Sequence, residues 1–475
     1  MSGPGVAMFS LQEAAALIQG AIVVGDGAAT FERVSTDSRT AGPGDLFVAL
    51  KGERFDAHDF LPDVATRQVS AVLVTRTPDD WRVPALRVAD TRVALGALAR
   101  GWRRRFPMPL VAVTGSNGKT TVKEMIASIF SAAVGAASRL ATAGNFNNDV
   151  GLPLTLLRLS EAHRLAVVEL GMNHPGETQL LAKIAEPTVA VVNNAQREHQ
   201  EFMATVEAVA LEHASVIHAL TPDGIAVFPA DDQYAGIWRV AATGNRVIDF
   251  ALNSDECITE AAVTGRFDGS RLSIDTPDGH LDVTLQVLGA HNARNALAAT
   301  SAALAAGVPL DAIRRGLEAF GAVKGRLQVK RAALGAFAGA MVIDDTYNAN
   351  PDSMRAAIDV LATQRAPRVL VMGDMGEVGD DGPAFHREIG AYANERGIDA
   401  LYAMGDASRD ACAAYGPSAH HAADPAALVA QLQQAGFTAS ATFLVKGSRF
   451  MQMERVVDAL TSPQTDATGD RPAAH

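Results

Sequence analysis

Two cysteines, Cys257 and Cys412, are all that 475 residues contain, which excludes a disulfide framework or a cysteine-rich metal site and agrees with a reducing compartment. No apolar stretch runs uninterrupted for the ~18 residues that suggest a membrane helix, so membrane insertion is not expected. The opening MSGPGVAMFSLQEAAALIQG lacks a basic segment ahead of an apolar one, as a secretory leader would have, and the expected location is the cytoplasm. Basic charge is in deficit. Lys plus Arg number 41 against 53 for Asp plus Glu, and the net charge of −12 argues against a generic nucleic-acid surface. An anionic ligand must then be held locally. No fixed-period repeat occurs, and Ala-rich pieces such as ALAATSAALAAG read as packed helices.

What is present is the composition of an ordinary folded protein, 48% hydrophobic and 20% charged, with length for about three domains. From Phe31 to Phe60, short apolar runs cut by Gly, Pro and Asp predict a small mixed α/β domain over 1–108. From Pro109 apolar strands (PLVAVTG, RLAVVELG, TVAVVNN, GIAVFPA) alternate with helical patterns, which predicts a mostly parallel sheet covered on both faces over 109–326. Between Cys257 and Leu288 the period drops to two, predicting a few accessory antiparallel strands. A third alternation, AMVIDDT, RVLVMGD, DALYAMGD and TFLVKGS, predicts a second, Rossmann-like α/β sheet over 327–460. The polar residues 461–475 are expected to form a loose tail.

The strongest chemical signal is Thr114-Gly115-Ser116-Asn117-Gly118-Lys119-Thr120-Thr121, between a predicted strand and a predicted helix. Glycines let backbone N–H groups close around phosphate, Lys119 supplies a movable positive charge, and the Thr120 hydroxyl can reach a bound Mg²⁺. Val113 stands where the usual G-x-x-x-x-G-K-[ST] pattern has its first Gly, so this is a shorter phosphate loop. Glu169 ends a predicted parallel strand, where ligands of open α/β sheets gather, and its carboxylate suits Mg²⁺.

The TGSNGKTT loop resembles that of the Mur ligases, enzymes that join amino acids or peptides to UDP-N-acetylmuramoyl precursors. STDSRTAGPGDLFVALKGERFDAHDF, TAGNFNNDVGLPLTLL, ELGMNHPGE, DDTYNANPDSM and VKGSRFMQME extend the resemblance over about residues 10 to 460. They are most similar to members that add D-alanyl-D-alanine to UDP-N-acetylmuramoyl-tripeptide. The resemblance implies His199 as a second metal contact beside Glu169. It implies ATP contacts from His291, Asn292 and Asn295, a guanidinium from Arg326 at the terminal phosphate, and Asp345 at the ribose. It implies substrate contacts from Asp37, Ser38, Arg39 and Lys51 to the uridine diphosphate end, and from Thr142, Asn145, Asn147 and Asn148 to the sugar-peptide region. Tyr347, Asn348 and Asn350 lie in its nucleotide and incoming-substrate region, and Asn350-Pro351 is also a good helix start by itself. Lys446, Ser448 and Arg449 form a basic strand end without individual roles, and His174 is left as a turn residue.

The family commonly carries a carbamylated lysine on the helix after the histidine. Here no lysine occurs between Lys183 and Lys324, and His213 falls at that place with Glu212 beside it. Either substitutes, or the support is absent.

The implied enzyme is a cytoplasmic, monomeric, ATP- and Mg²⁺-dependent carbon–nitrogen ligase that works through an acyl phosphate, with the first and third domains closing on the central sheet. A ligase adding a single amino acid and a folylpolyglutamate synthase remain open, as does a nucleotide-driven switch that makes no amide.

Overall fold

The computed structural model describes residues 7–462. Its centre is a six-stranded, wholly parallel sheet in the order Arg246–Val247, Ile225–Val227, Val189–Val192, Leu110–Thr114, Leu165–Glu169, Arg139–Ala141. Side chains alternate across a strand. Leu110 and Ala112 therefore enter one apolar cluster, and Val111 and Val113 another on the opposite face. The helix Lys119–Val134 covers the second face with Val122, Met125, Ile126, Ile129 and Phe130, a spacing that keeps one stripe inward. Each such side chain contributes roughly 1.5–3 kcal/mol on burial. This is the two-sided parallel core expected from the apolar runs.

The accessory strands pack beside this second face. Phe250–Asn253 pairs in parallel with Val263–Phe267, and two antiparallel pairings follow with Arg271–Thr276 and Gly279–Thr284. The period of two buries Leu272, Ile274, Leu281 and Val283. The sheet begins before Cys257, because the Phe250 strand joins it by a parallel pairing.

The N-terminal unit has a five-stranded sheet ordered Ile22–Val24, Ala85–Arg87, Ala71–Val74, Asp45–Val48, Arg33–Ser35, and a separate two-stranded pairing of Phe9–Ser10 with Thr30–Phe31. Its helix Thr91–Arg103 lies against the central unit. Phe9, Leu98 and Trp102 share one apolar cluster with Leu110, Leu152, Leu156 and Met172. Ionic contacts frame the seam: Arg100 and Arg104 converge on Glu186, and Arg92 pairs with Asp149 at 3.0 Å.

The C-terminal unit carries a second six-stranded sheet, ordered Gln328–Arg331, Met341–Asp345, Thr442–Lys446, Arg368–Gly373, Ala400–Met404, Ala419–Ala422. Only the first strand runs antiparallel to its neighbour. That edge strand was not anticipated, since QVKR is polar and only partly buried. Val342, Val371 and Val445 face one apolar cluster, and Ile343, Leu370 and Leu444 the other. Thr461 closes the last helix, Glu454–Thr461, instead of opening a tail, and the rest of that expected tail from residue 463 lies outside the described residues.

Candidate active site

Three neighbouring strands of the central sheet end together. In register, Thr114 stands opposite Val192, and Val113 opposite both Glu169 and Val191. The phosphate loop leaves Thr114 and turns into its helix at Gly118, which has φ +81° and adds no side-chain cap, so the first N–H groups of the helix remain for a ligand. A Cβ at Gly118 would stand 2.5 Å from Asn295 Oδ1 and 2.7 Å from Asn193 Nδ2. At Gly115 it would meet Asn193 Cβ at 2.9 Å, so both loop glycines are required by space as well as by backbone conformation.

The loop opens on a cleft of about 750 Å³ between the central and C-terminal units. Ser116, Asn117, Gly118, Lys119, Thr120 and Thr121 line it, whereas Thr114 and Gly115 lie behind. Lys119 Nζ folds back onto the carbonyls of Gly115 at 2.5 Å and Ser116 at 3.1 Å, and reaches Glu198 Oε2 at 3.2 Å. Thr120 Oγ1 accepts from the Arg326 guanidinium at 2.9 Å, and that guanidinium lies 4.2 Å from the centre of the Tyr347 ring.

Glu169 is nearly fully buried. Asn147 donates to its Oε1 at 2.8 Å, and its Oε2 is buried with no hydrogen-bond partner. An orphaned carboxylate oxygen inside a phosphate-binding cleft is a place for a cation. Among the described residues no group of three or more His, Cys, Asp or Glu could hold a metal by themselves. Mg²⁺ usually takes one or two protein oxygens plus substrate phosphates and water. Glu169 and Thr120 suit this role.

His199 also lines the cleft, with its Nδ1 2.6 Å from Glu377 Oε2, off the direction of an aligned hydrogen bond. This neighbour holds the Glu377 carboxyl below its ordinary range. His213 is wholly buried between Glu198 Oε1 and Thr114 Oγ1, each at 3.0 Å. Glu212 instead accepts from the Thr178 backbone N–H at 2.9 Å. Thus neither Glu212 nor His213 is among the residues lining the cleft.

The segment Gly289 to Asn295 opens the helix Ala290–Ala305, as expected, with Gly289 at its cap. His291 lines the cleft, and burial pushes its imidazole below the ordinary value, so the neutral ring is available for stacking. The Asn292 and Asn295 amides are engaged with protein. Asn295 donates to Asn292 Oδ1 at 3.1 Å and accepts from Asn193 at 2.9 Å, while Asn193 also donates to the Asn117 carbonyl at 2.7 Å. This amide chain braces the phosphate loop, and Asn193, Asn292 and Asn295 themselves line the cleft.

Asp345 ends the Met341–Asp345 strand, accepts from Lys446 Nζ at 2.6 Å and from the Leu327 N–H at 3.1 Å, and still lines the cleft. Lys446 also donates to Asn348 O at 2.9 Å. Lys446 and Ser448 are buried, whereas Arg449 is exposed and pairs with Glu454. Tyr347, Asn348 and Asn350 line the same cleft.

Of the substrate candidates, Asn145, Asn147 and Asn148 reach the cleft. Thr142 is buried behind it and accepts from the Glu169 N–H at 3.0 Å, so it positions that acid. Lys51 lines a second cavity in the N-terminal unit with His58, Thr75 and Arg92, and Arg92 borders both cavities. Asp37, Ser38 and Arg39 line neither. The Arg39 guanidinium is turned onto the Asp37 carboxylate at 2.8 Å, and this pairing holds Asp37 down to about 2. His174 sits in a turn, 4.5 Å from the Phe202 ring.

Sequence reasoning passed over the loop after Val192. Asn194 accepts from the Asn117 N–H at 2.9 Å, and Gln196 accepts from the Asn117 amide at 2.7 Å. Arg197 spans to Asp352 and Glu388 of the C-terminal unit at 2.6 and 2.7 Å, and Glu388 and Asp352 raise the guanidinium above its ordinary value against the opposing effect of partial burial. Glu198 is buried. Burial alone would raise its carboxyl, but Lys119, His213 and His199 outweigh that and hold it at about 2. The available signal was the run NNAQREHQEF, of which only His199 is among the expected site residues.

Comparison with known proteins agrees with this architecture. The Mur ligase middle domain matches residues 113–303, and the Mur ligase glutamate ligase domain matches residues 325–449. The chain is 42% identical over 435 residues to the UDP-N-acetylmuramoyl-tripeptide–D-alanyl-D-alanine ligase of Escherichia coli K12, covering 91% of this chain and 94% of that one. It is 39% identical to the enzyme of the same name from Haemophilus influenzae, covering 92% and 95%. The crystal structure of MurF from Acinetobacter baumannii superposes with a TM-score of 0.86 at 36% identity, covering 95% of this chain and 98% of that one. MurF from Thermotoga maritima in complex with ADP gives 0.79 at 25% identity, covering 90% and 97%. A phosphate loop at three converging strand ends, a cleft closed by a second α/β unit, and likeness along nine-tenths of the chain together show that it belongs to the Mur ligase family, among the UDP-N-acetylmuramoyl-tripeptide–D-alanyl-D-alanine ligases.

Proposed function

We propose that this chain joins D-alanyl-D-alanine to UDP-N-acetylmuramoyl-tripeptide at the expense of ATP, giving the UDP-linked pentapeptide, ADP and phosphate. The observation that carries the reading is Lys119, parked on its own loop's carbonyls within a cleft that also holds the unpartnered Glu169 oxygen.

A carboxylate does not react with an amine in water until its oxygen is made a leaving group. The terminal carboxylate of the tripeptide attacks the γ-phosphorus of ATP, forming an acyl phosphate and releasing ADP. The amine of D-alanyl-D-alanine then attacks the acyl carbon. The tetrahedral intermediate loses a proton to solvent or base and collapses to the amide with loss of phosphate. Lys119 turns from the Gly115 and Ser116 carbonyls to the phosphates, where its charge matches the charge that builds during transfer. Backbone N–H groups at the helix start, from Gly118 to Thr120, hold the β- and γ-phosphates, while those of Ser116 and Asn117 are bonded to Asn194. Arg326, aligned by Thr120 and the Tyr347 ring, stands at the terminal phosphate. A Mg²⁺ ion held by Thr120 and Glu169 would neutralise phosphate oxygens, with His199 as contact for a second ion.

His291, Asn292, Asn295 and Asp345 take the nucleoside side, and the two amides also keep the phosphate loop in shape. Asn145, Asn147, Asn148, Tyr347, Asn348 and Asn350 face the peptide substrates, whose carbonyls and amines amide groups can bond without adding charge. Lys51, with Asp37, Ser38 and Arg39 nearby in sequence, is the uridine diphosphate end. The catalytic work is divided among residues 1–108, 109–326 and 327–460, acting as a monomer in the cytoplasm.

The test is product mass spectrometry with ATP, Mg²⁺, D-alanyl-D-alanine and UDP-N-acetylmuramoyl-tripeptide bearing diaminopimelate or lysine as third residue. One amide per ADP supports the reading. ADP release that needs neither cosubstrate would instead make the protein a nucleotide-driven switch.

A further inference from the structure

We propose that Glu198 is a positioning residue for Lys119, and that docking of the C-terminal unit on Arg197 sets where Glu198 stands. The proposal rests on the phosphate loop being the ATP site of the reading above.

Three consecutive residues divide between two bodies, the outer two reaching the C-terminal unit and the middle one the central unit. The Arg197 backbone N–H donates to Asp352 at 2.8 Å, and its guanidinium meets Asp352 and Glu388, all across the cleft. Glu198 points the other way, with Oε2 3.2 Å from Lys119 Nζ and Oε1 3.0 Å from His213 Nε2. His199 meets Glu377, whose carbonyl also accepts from the Glu201 N–H at 3.3 Å. His199 has φ +48°, a left-handed conformation that a non-glycine residue keeps only where its surroundings over-determine it. The Arg197 and Glu377 contacts supply that constraint, one on each side of Glu198.

Behind Glu198 the brace is rigid. His213 is fully buried on the helix Val206–His218, and its second ring nitrogen is tied to Thr114 Oγ1 at the strand end from which the phosphate loop departs. The carboxylate therefore has one fixed partner, His213, and one movable partner, Lys119. A buried carboxylate beside a polyphosphate site repels the ligand unless a cation stands between them. Lys119 is that cation. In the structure it lies against Glu198 and the loop carbonyls. When a triphosphate enters, the ammonium swings toward it while Glu198 limits how far it travels. Arg197 belongs to the same segment, so a C-terminal unit that has not docked leaves Glu198, and hence Lys119, unplaced.

The test reads Lys119 directly in the full-length protein without nucleotide or peptide, by trace acetylation and mass spectrometry of the Lys119 peptide. Glu198→Gln is expected to raise labelling of Lys119 by ~10-fold, the scale on which loss of an orienting partner is felt. Asp352→Asn combined with Glu388→Gln, neither of which touches Lys119, should raise it in the same direction and add nothing further in the Glu198→Gln background. In steady state Glu198→Gln should lower kcat ~10-fold without weakening binding of a fluorescent ADP analogue, and Glu198→Asp should recover part of the loss.

Wild-type labelling in the Asp352/Glu388 double variant would overturn the coupling. If Glu198→Gln leaves both labelling and kcat unchanged, or loses kcat, nucleotide affinity and unfolding midpoint together, Glu198 has no positioning role. Should Glu198→Gln not fold, the partly exposed Asp352 and Glu388 positions decide the matter by themselves. Labelling needs no substrate, so its outcome is separate from whether a peptide product forms.

Discussion

Asn350 donates its side-chain amide to the Asn117 side-chain oxygen at 3.0 Å, so the residue that starts a helix in the C-terminal unit also touches the phosphate loop of the central one. Its own Oδ1 meanwhile accepts from the Ser353 N–H at 2.8 Å, closing a capping box. The two roles can be separated. Serine caps a helix but is too short to reach Asn117. Asn350→Ser should leave the thermal unfolding midpoint close to wild type and lower kcat/KM for ATP by ~2- to 10-fold, the weight of one neutral hydrogen bond. Asn350→Ala should lose the cap as well, at about 1 kcal/mol of stability. Thermal melts beside ADP-release kinetics separate the two.

Lys119→Ala removes the one loop side chain that can follow the phosphates. ADP release at saturating ATP should fall by ~10²- to 10³-fold, as when a single preorganised donor is lost. Turnover near wild type would exclude Lys119 from phosphoryl transfer.

Arg326 both donates to Thr120 and lies over the Tyr347 ring, a combination that the planar, forked guanidinium meets better than a compact ammonium. Arg326→Lys is therefore expected to lose on the order of 10²-fold in kcat, within the range that arginines contribute to phosphoryl transfers. Retention of charge with retention of rate would refute that role.

Glu169 couples stability and activity in opposite senses. Glu169→Gln removes a buried charge with one oxygen unsatisfied, so without metal the unfolding midpoint should be no lower than wild type. The same variant should need far more Mg²⁺ for half-maximal rate. An unchanged metal requirement in a Mg²⁺ titration would rule Glu169 out as a ligand.

Acid should act on the seam between the central and C-terminal units. Hydrogen bonds from Arg197 hold Glu388 below its ordinary value of 4.5, against the opposing effect of partial burial. A depressed carboxyl contributes stability in full above its unfolded value and loses it as pH falls through the folded one. Melts of wild type and Glu388→Gln across pH 3 to 7 should differ by a constant above about pH 5 and converge below it. A gap that widens toward acid would contradict the pairing.

Much of this was legible in residue types. A parallel core announces itself as β-branched runs such as Leu110–Thr114, and the phosphate loop as glycines at places where a Cβ would strike Asn193 or Asn295. Glu169 was placed by the rule that ligands gather at strand ends. What escaped depended on partners distant in the chain. Glu198 reads as one acid in a polar run, and it becomes a buried functional group only because Lys119 and His213 come to it from opposite directions. Thr142 read as a substrate contact, yet the Glu169 N–H reaches its hydroxyl first. Asp37 and Arg39, which the resemblance implies at the uridine diphosphate end, pair with each other at 2.8 Å.

The unequal seams bear on how the molecule opens. Phe9 and Trp102 are fused to Leu156 and Met172 in one oily mass, so prising the N-terminal unit away would wet a large apolar face. The opposite seam has Leu288 against the C-terminal cluster but is otherwise bridged by Arg197, Asp352, Glu388 and the Asn117–Asn350 pair, polar groups that water can reach when they part. Breathing is thereby consigned to one jaw, and brine rather than warmth should loosen it.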